Sequence, residues 1–346
     1  MNLKELIRPN ILNLKPYSCA RNEFMGEAIA YLDANENPLN APYNRYPDPL
    51  QADLKEKVAK LKHVDPKQLF FGNGSDEPID LIIRVFCEPG VDNIVAIDPT
   101  YGMYQVCADI NNVAYRKALL NGDFTLNPER VLAAVDAHTK VIFLCSPNNP
   151  TGNDLEMKDM KRIIKTFNGI VVVDEAYIDF SSRKSFLTQM DSFPNLIVLQ
   201  TFSKAWGLAA VRLGMAFATP EIIAVLNKVK YPYNINLLTQ YFVGEEIKKQ
   251  KRKKAWVEML LEQRGLLISQ LKALSFVKKI FPTDANFVLV LMDDANATYH
   301  YLVEQGIIVR NRNNISLCLG CLRITVGIPE ENDLLIRTLK KMNAGL

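Results

Sequence analysis

Short, nearly continuous apolar runs alternate with amphipathic stretches along most of the chain. Leu69–Phe71, Ile94–Ile97, Val141–Cys145, Ile170–Asp174, Leu196–Thr201 and Leu213–Ala218 read as strands, with helical segments such as Ser75–Phe86 and Leu155–Phe167 between them. Unbroken apolar strands alternating with helices predict an α/β domain with a mostly parallel sheet. From Leu237 to Leu274 the pattern predicts one long, largely polar helix, carrying the basic run Lys248, Lys249, Lys251, Arg252, Lys253 and Lys254. It reads as a solvated helix linking two domains, with a nucleic-acid site as the lesser alternative. Three shorter strand-like runs follow, Asn286–Leu291, Ile307–Val309 and Leu322–Val326, and suggest a smaller α+β domain. The expected division is an arm at 1–30, a large domain at 31–250 and a small domain at 251–346.

Polar motifs sit where the strands end. Phe70-Phe71 runs into Gly72-Asn73-Gly74-Ser75-Asp76-Glu77, and Val141–Cys145 into Ser146-Pro147-Asn148-Asn149-Pro150-Thr151-Gly152. Ile170–Val173 ends at Asp174-Glu175-Ala176-Tyr177, and Leu196–Gln200 at Thr201-Phe202-Ser203-Lys204. Open α/β sheets bind ligands beyond the carboxyl ends of their strands, so these segments are the candidates for chemistry.

Composition narrows the classes. The chain has 346 residues, 48% hydrophobic and 23% charged, which suits a soluble protein of two domains. A net charge of +3 makes no electrostatic case for nucleic acid. No stretch approaches the ~20 apolar residues of a membrane span, and the start lacks the apolar core of a secretory signal. The six cysteines, Cys19, Cys87, Cys107, Cys145, Cys318 and Cys321, are scattered and read as reduced in a cytoplasmic protein. Cys318-x-x-Cys321 has no second pair, so a core or loop pair is preferred to a metal or redox site. The three histidines, His63, His138 and His300, fall in no motif, and no metal site is expected.

Each strand-end motif has two readings. The glycine turn before Ser75 can present backbone N–H groups to an anion, or Ser75 can be a plain helix cap. Asn149 can offer an amide at the sheet edge, or belong to an ordinary turn. Asp174, after apolar residues, can cap a helix or meet a buried cation. Lys204, among small and aromatic residues, can be a surface lysine or a partly desolvated, nucleophilic amine. Arg212 offers a permanent fork for phosphate. Their order is more specific than any one of them, with Asn149, Asp174, Lys204 and Arg212 spaced by 25, 30 and 8 residues.

With these residues the chain resembles the fold-type I aminotransferases, and more narrowly the histidinol-phosphate aminotransferases. The likeness also rests on Asp33-Ala34-Asn35-Glu36-Asn37-Pro38, Asn44-Arg45-Tyr46-Pro47-Asp48-Pro49, Pro99-Thr100-Tyr101-Gly102-Met103-Tyr104 and Leu322-Arg323-Ile324-Thr325-Val326-Gly327. The resemblance implies pyridoxal phosphate bound as a Schiff base on Lys204, which then serves as general base. It implies that Gly74, Ser75, Asp76, Ser203 and Arg212 surround the cofactor phosphate. Asp174 would pair with the pyridine N–H, Asn149 and Tyr177 with the ring oxygen, and Tyr101 would stack on the ring. Tyr46 would reach the neighbouring subunit's cofactor, making a homodimer with shared sites. Arg323 would bind the substrate's carboxylate or phosphate, with Asn35, Tyr17 and Arg310 as further substrate residues. The implied substrates are histidinol phosphate and glutamate or 2-oxoglutarate, exchanged by ping-pong kinetics. An aromatic-amino-acid aminotransferase and a threonine-phosphate decarboxylase-like lyase are the rival activities.

Overall fold

The computed structural model describes residues 2–18 and 28–344; Cys19 lies outside them. Seven strands form the large sheet: β1 (Leu69–Asn73), β2 (Asn93–Asp98), β3 (Ala114–Leu119), β4 (Thr139–Cys145), β5 (Ile170–Asp174), β6 (Leu196–Thr201) and β7 (Leu213–Phe217). Their spatial order is β1-β7-β6-β5-β4-β2-β3. Only β7 runs against its neighbours. The mostly parallel sheet is therefore as the apolar runs predict. Its inner strands β2, β4, β5, β6 and β7 are buried along almost their whole length, because helices cover both faces. One core packs Leu54, Phe71, Ile142 and Val173 on one face, and a second packs Phe70, Ile82, Phe143 and Val172 on the other. Strand β3 escapes the pattern because it is an edge strand with mostly exposed residues.

The second sheet is antiparallel, in the order β10-β11-β9-β8. It comprises β8 (Val277–Ile280), β9 (Phe287–Met292), β10 (Arg310–Asn311) and β11 (Cys321–Thr325). The run Ile307–Val309 is not a strand; pairing begins at Arg310, opposite Arg323. The predicted single helix from Leu237 to Leu274 is two helices, Leu237–Glu246 and Gln250–Lys272. Buried Ile247 anchors the break in the large-sheet core. Lys249 and Arg252 both ion-pair with Glu246 and tighten the turn. Lys253 crosses to Asp179, so the basic run is threaded with acids rather than forming one bare face. A small cluster of Tyr177, Phe180, Ala205, Val257, Ala285 and Phe287 joins the two sheets' layers.

Strand direction places the site. Parallel strands β1, β2, β4, β5 and β6 all end at one edge of the sheet, and antiparallel β7 begins there. Along that edge the chain leaves or enters at Gly74, Arg212, Lys204, Asp174, Asn149 and Tyr101, in spatial order.

Candidate active site

A cleft of about 680 Å³ opens above this edge, floored by the large sheet and walled by β10 and β11. Gly74, Ser75, Asp76, Tyr101, Asn149, Asp174, Tyr177, Ser203, Lys204, Arg212, Arg310 and Arg323 all line it. Tyr17, Asn35 and Tyr46 do not. Tyr17 is exposed, Asn35 is exposed with a left-handed backbone, and Tyr46 stacks on Tyr233 at 4.5 Å between ring centroids.

At one end lies an anion cradle. Gly74 takes φ +67°, and its N–H donates to the Arg212 carbonyl at 2.8 Å. A Cβ on Gly74 would lie 2.5 Å from the Arg212 guanidinium, and one on Gly214 would lie 2.2 Å from the Gly74 carbonyl carbon. Gly214 lets the two backbones come together, and the left-handed φ of Gly74 favours glycine there. Ser75 sits at the N-cap of the helix Asp76–Phe86 but makes no capping bond with its side chain, so the plain-cap reading does not hold. Asp76 accepts from the Tyr101 hydroxyl at 3.0 Å and from Arg212 at 3.4 Å, holding both side chains over the helix start. Ser203 and Thr201 exchange hydrogen bonds of 3.0 Å that shape the turn before Lys204.

In the middle are a carboxylate and an amine. Asp174 is 2% exposed and accepts from the Tyr104 hydroxyl at 2.7 Å and the Ala176 N–H at 3.0 Å. Burial raises its carboxyl to about 6, opposed by those two donors. Among the described residues no cation lies within ion-pair distance of it. Lys204 reaches solvent through the cleft but is crowded by protein on its other sides, and burial followed by Arg323 lowers its ammonium. Its Nζ lies 5.5 Å from the centroid of the Tyr177 ring. Burial pushes the Tyr177 and Tyr101 hydroxyls up, so both are neutral donors.

At the far end Arg323 donates to the Asn149 side-chain oxygen at 2.5 Å, tying the small sheet to the β4 loop. Its guanidinium lies 5.2 Å from the Phe287 ring centroid, and burial lowers it. Arg310 stands beside it across the β10–β11 pair. Two residues at the site escaped the sequence reading, Tyr104 buried beneath the cleft and Arg312 lining it. Tyr104 lay inside the quoted Pro99–Tyr104 segment, but its bond to Asp174 needs β2 and β5 on either side of β4. Arg312 lay two residues beyond Arg310, a same-side spacing in extended chain that was the available signal.

The cleft fits pyridoxal phosphate. It offers a cradle that a Cβ would fill, a buried carboxylate lacking a cation, and an amine facing an aromatic ring.

A family model for class I and II aminotransferases matches residues 21–339. The histidinol-phosphate aminotransferase of Bacteroides fragilis (strain YCH46) is 59% identical over 340 residues, covering 98% of this chain and 99% of that protein. Among solved structures, the histidinol-phosphate aminotransferase of Clostridium acetobutylicum superposes with a TM-score of 0.81 at 22% identity, over 88% of this chain and 92% of that one. The enzyme of the same name from Sinorhizobium meliloti, in complex with pyridoxal-5'-phosphate, superposes with a TM-score of 0.80 at 24% identity, over 90% of each chain. At these identities the structural likeness establishes the fold.

Proposed function

Because the chain belongs to the class I and II aminotransferases, and within them to the histidinol-phosphate aminotransferases, we propose that it exchanges an amino group between L-histidinol phosphate and 2-oxoglutarate by ping-pong turnover. The observation that carries the reading is the full-length 59% identity to a relative of that name. It is supported by one cleft that joins an anion cradle, Asp174, Lys204 and the Arg323 wall.

Pyridoxal phosphate, when bound, supplies an electron sink for the pair left at the substrate Cα. The Gly74 and Ser75 N–H groups, Ser203 and Arg212 would hold its phosphate, with Asp76 orienting Arg212. Asp174 would take the pyridine N–H, Asn149 and Tyr177 the ring oxygen, and Tyr101 the ring face. Lys204 would tether the group and move the proton at the substrate Cα. Its lowered ammonium leaves more neutral amine for that task, and a positioned base contributes about 10²–10⁴-fold. Arg323 receives the substrate's anionic end with its planar fork, joined in this reading by Arg310 and, from the arm and its neighbour, Tyr17 and Asn35.

The same reading makes the protein a cytoplasmic homodimer in which Tyr46 serves the partner's site. Exposed Tyr43, Leu238, Tyr241 and Phe242 supply apolar surface for such a contact. It also keeps the division into an arm at 1–30, a large domain at 31–250 and a small domain at 251–346.

The test is glutamate-dependent turnover with imidazole-acetol phosphate beside phenylpyruvate, with carbon dioxide monitored. Preferred use of imidazole-acetol phosphate is expected. Preference for phenylpyruvate, or carbon dioxide release without amino transfer, would overturn the reading.

A further inference from the structure

Arg310, Arg312 and Arg323 crowd one wall of the cleft. Arg310 pairs directly with Arg323 across β10 and β11, a position where like charges repel. Arg312 continues the ladder, its N–H donating to the Cys321 carbonyl at 2.9 Å. It lines the cleft, half-buried, and its Nε is buried with no hydrogen-bond partner. Among the described residues no carboxylate lies within ion-pair distance of any of the three. Burial, then Arg323 and Arg310, pull the Arg312 guanidinium down to about 10. A cation held against two others without a counter-charge is poised for an anion from outside the chain.

The two substrates differ in what they bring to this wall. An α-carboxylate carries one charge and two oxygens, which one guanidinium fork satisfies. A phosphate monoester carries roughly −1.5 to −2 charges and three acceptor oxygens. With Arg323 taking two oxygens, the third oxygen and the second charge require another donor. Arg310 is exposed at the rim, whereas Arg312 is the more enclosed of the two. We propose that Arg312 binds the phosphate monoester of L-histidinol phosphate and sets the preference for it over a carboxylate. This rests on the histidinol-phosphate reading above.

The experiment compares holoenzyme single-turnover half-reactions of wild type, Arg312→Gln and Arg312→Lys with L-histidinol phosphate and with glutamate, followed by cofactor absorbance. Inorganic phosphate is titrated as a competitor of glutamate. The Gln variant should lose about 30-fold or more in kcat/KM for histidinol phosphate, as expected for a lost charged hydrogen bond. Its loss with glutamate should be at most about three-fold, so the ratio of the two carries the result. Inorganic phosphate should compete more weakly with glutamate. The Lys variant should recover part of the loss, since it keeps the charge without the fork. Equal losses on both substrates would make Arg312 a framework residue, and no loss on either would make it a bystander; each overturns the proposal. If the wild type transfers from glutamate but not from histidinol phosphate, the substrate reading itself fails. Undiminished inhibition of Arg312→Gln by inorganic phosphate would then overturn the phosphate site as well.

Discussion

At the scale of single residues, Asp174 shows how burial sets chemistry. An ordinary aspartic acid titrates near ~3.9, whereas burial holds Asp174 at about 6. Between those values the folded protein binds more protons than the unfolded one, so stability from this group is lost as pH rises through the window. Asp174→Asn should therefore stabilise the cofactor-free protein at about pH 7, by on the order of 2 kcal/mol. The gain should shrink toward about pH 4.5, as read by urea denaturation at both pH values. The same change should cripple transamination, because an amide cannot hold a pyridinium as a carboxylate does. Lys204→Ala should abolish turnover and the visible absorption of the purified protein; a borohydride-reducible cofactor adduct surviving in that variant would sink the tether assignment. Asn149, Asp174 and Lys204 were legible because each follows an apolar run, and Arg212 because it stands eight residues beyond Lys204. Tyr104 was not, since a tyrosine on an amphipathic helix looks like core until its partner across β4 is known.

At the scale of elements, the β1 and β7 ends meet so closely that side chains are excluded. Gly214→Ala forces a backbone shift at the cradle. Overpacking of this kind costs about 1–3 kcal/mol, and pyridoxal phosphate affinity should fall with it, measured by reconstitution of the apoenzyme. Beneath the cleft, Arg183 bonds Asp154, Glu175 and the Ser146 carbonyl, joining the loops that carry Asn149 and Asp174. Glu175 is 1% exposed. Arg183→Met should cost about 3 kcal/mol, because it leaves buried Glu175 hydrogen-bonded but without its ion-pair partner. A thermal or urea midpoint unchanged from wild type would show that the network contributes nothing. The sequence pattern revealed the inner strands but not β3, whose exposed edge position allows polar residues. It also missed the turn after Glu246, where helical spacing persists through a break fixed by Ile247 burial and ion pairs.

At the scale of the whole molecule, the two sheets are tied through the β4 loop. Arg323 bonds Asn149, the Asp284 N–H donates to the Gly152 carbonyl, and the Asp284 carboxylate accepts from the Asp154 N–H. In the proposed reading, substrate anchoring and cofactor contacts would thus share one loop. The proposed dimer makes a separate prediction. Mixing Tyr46→Phe with Lys204→Ala subunits should restore activity above either parent, because one site of the heterodimer is then intact. Recovery no greater than the parents', with subunit exchange verified by mass, would remove Tyr46 from the partner's site.

The chain's local pattern was enough to determine an α/β sheet and a set of polar residues at its strand ends. Parallel strands must deliver those residues to one edge, so the pattern carried the residues proposed to hold the cofactor. The spatial order of the strands, the Tyr104–Asp174 bond, the glycine contact between β1 and β7, and the meeting of Arg310, Arg312 and Arg323 were decided only by the tertiary structure. Each joins residues through packing between elements distant in sequence, and periodicity along a chain records which face a residue shows but not which neighbour it will meet.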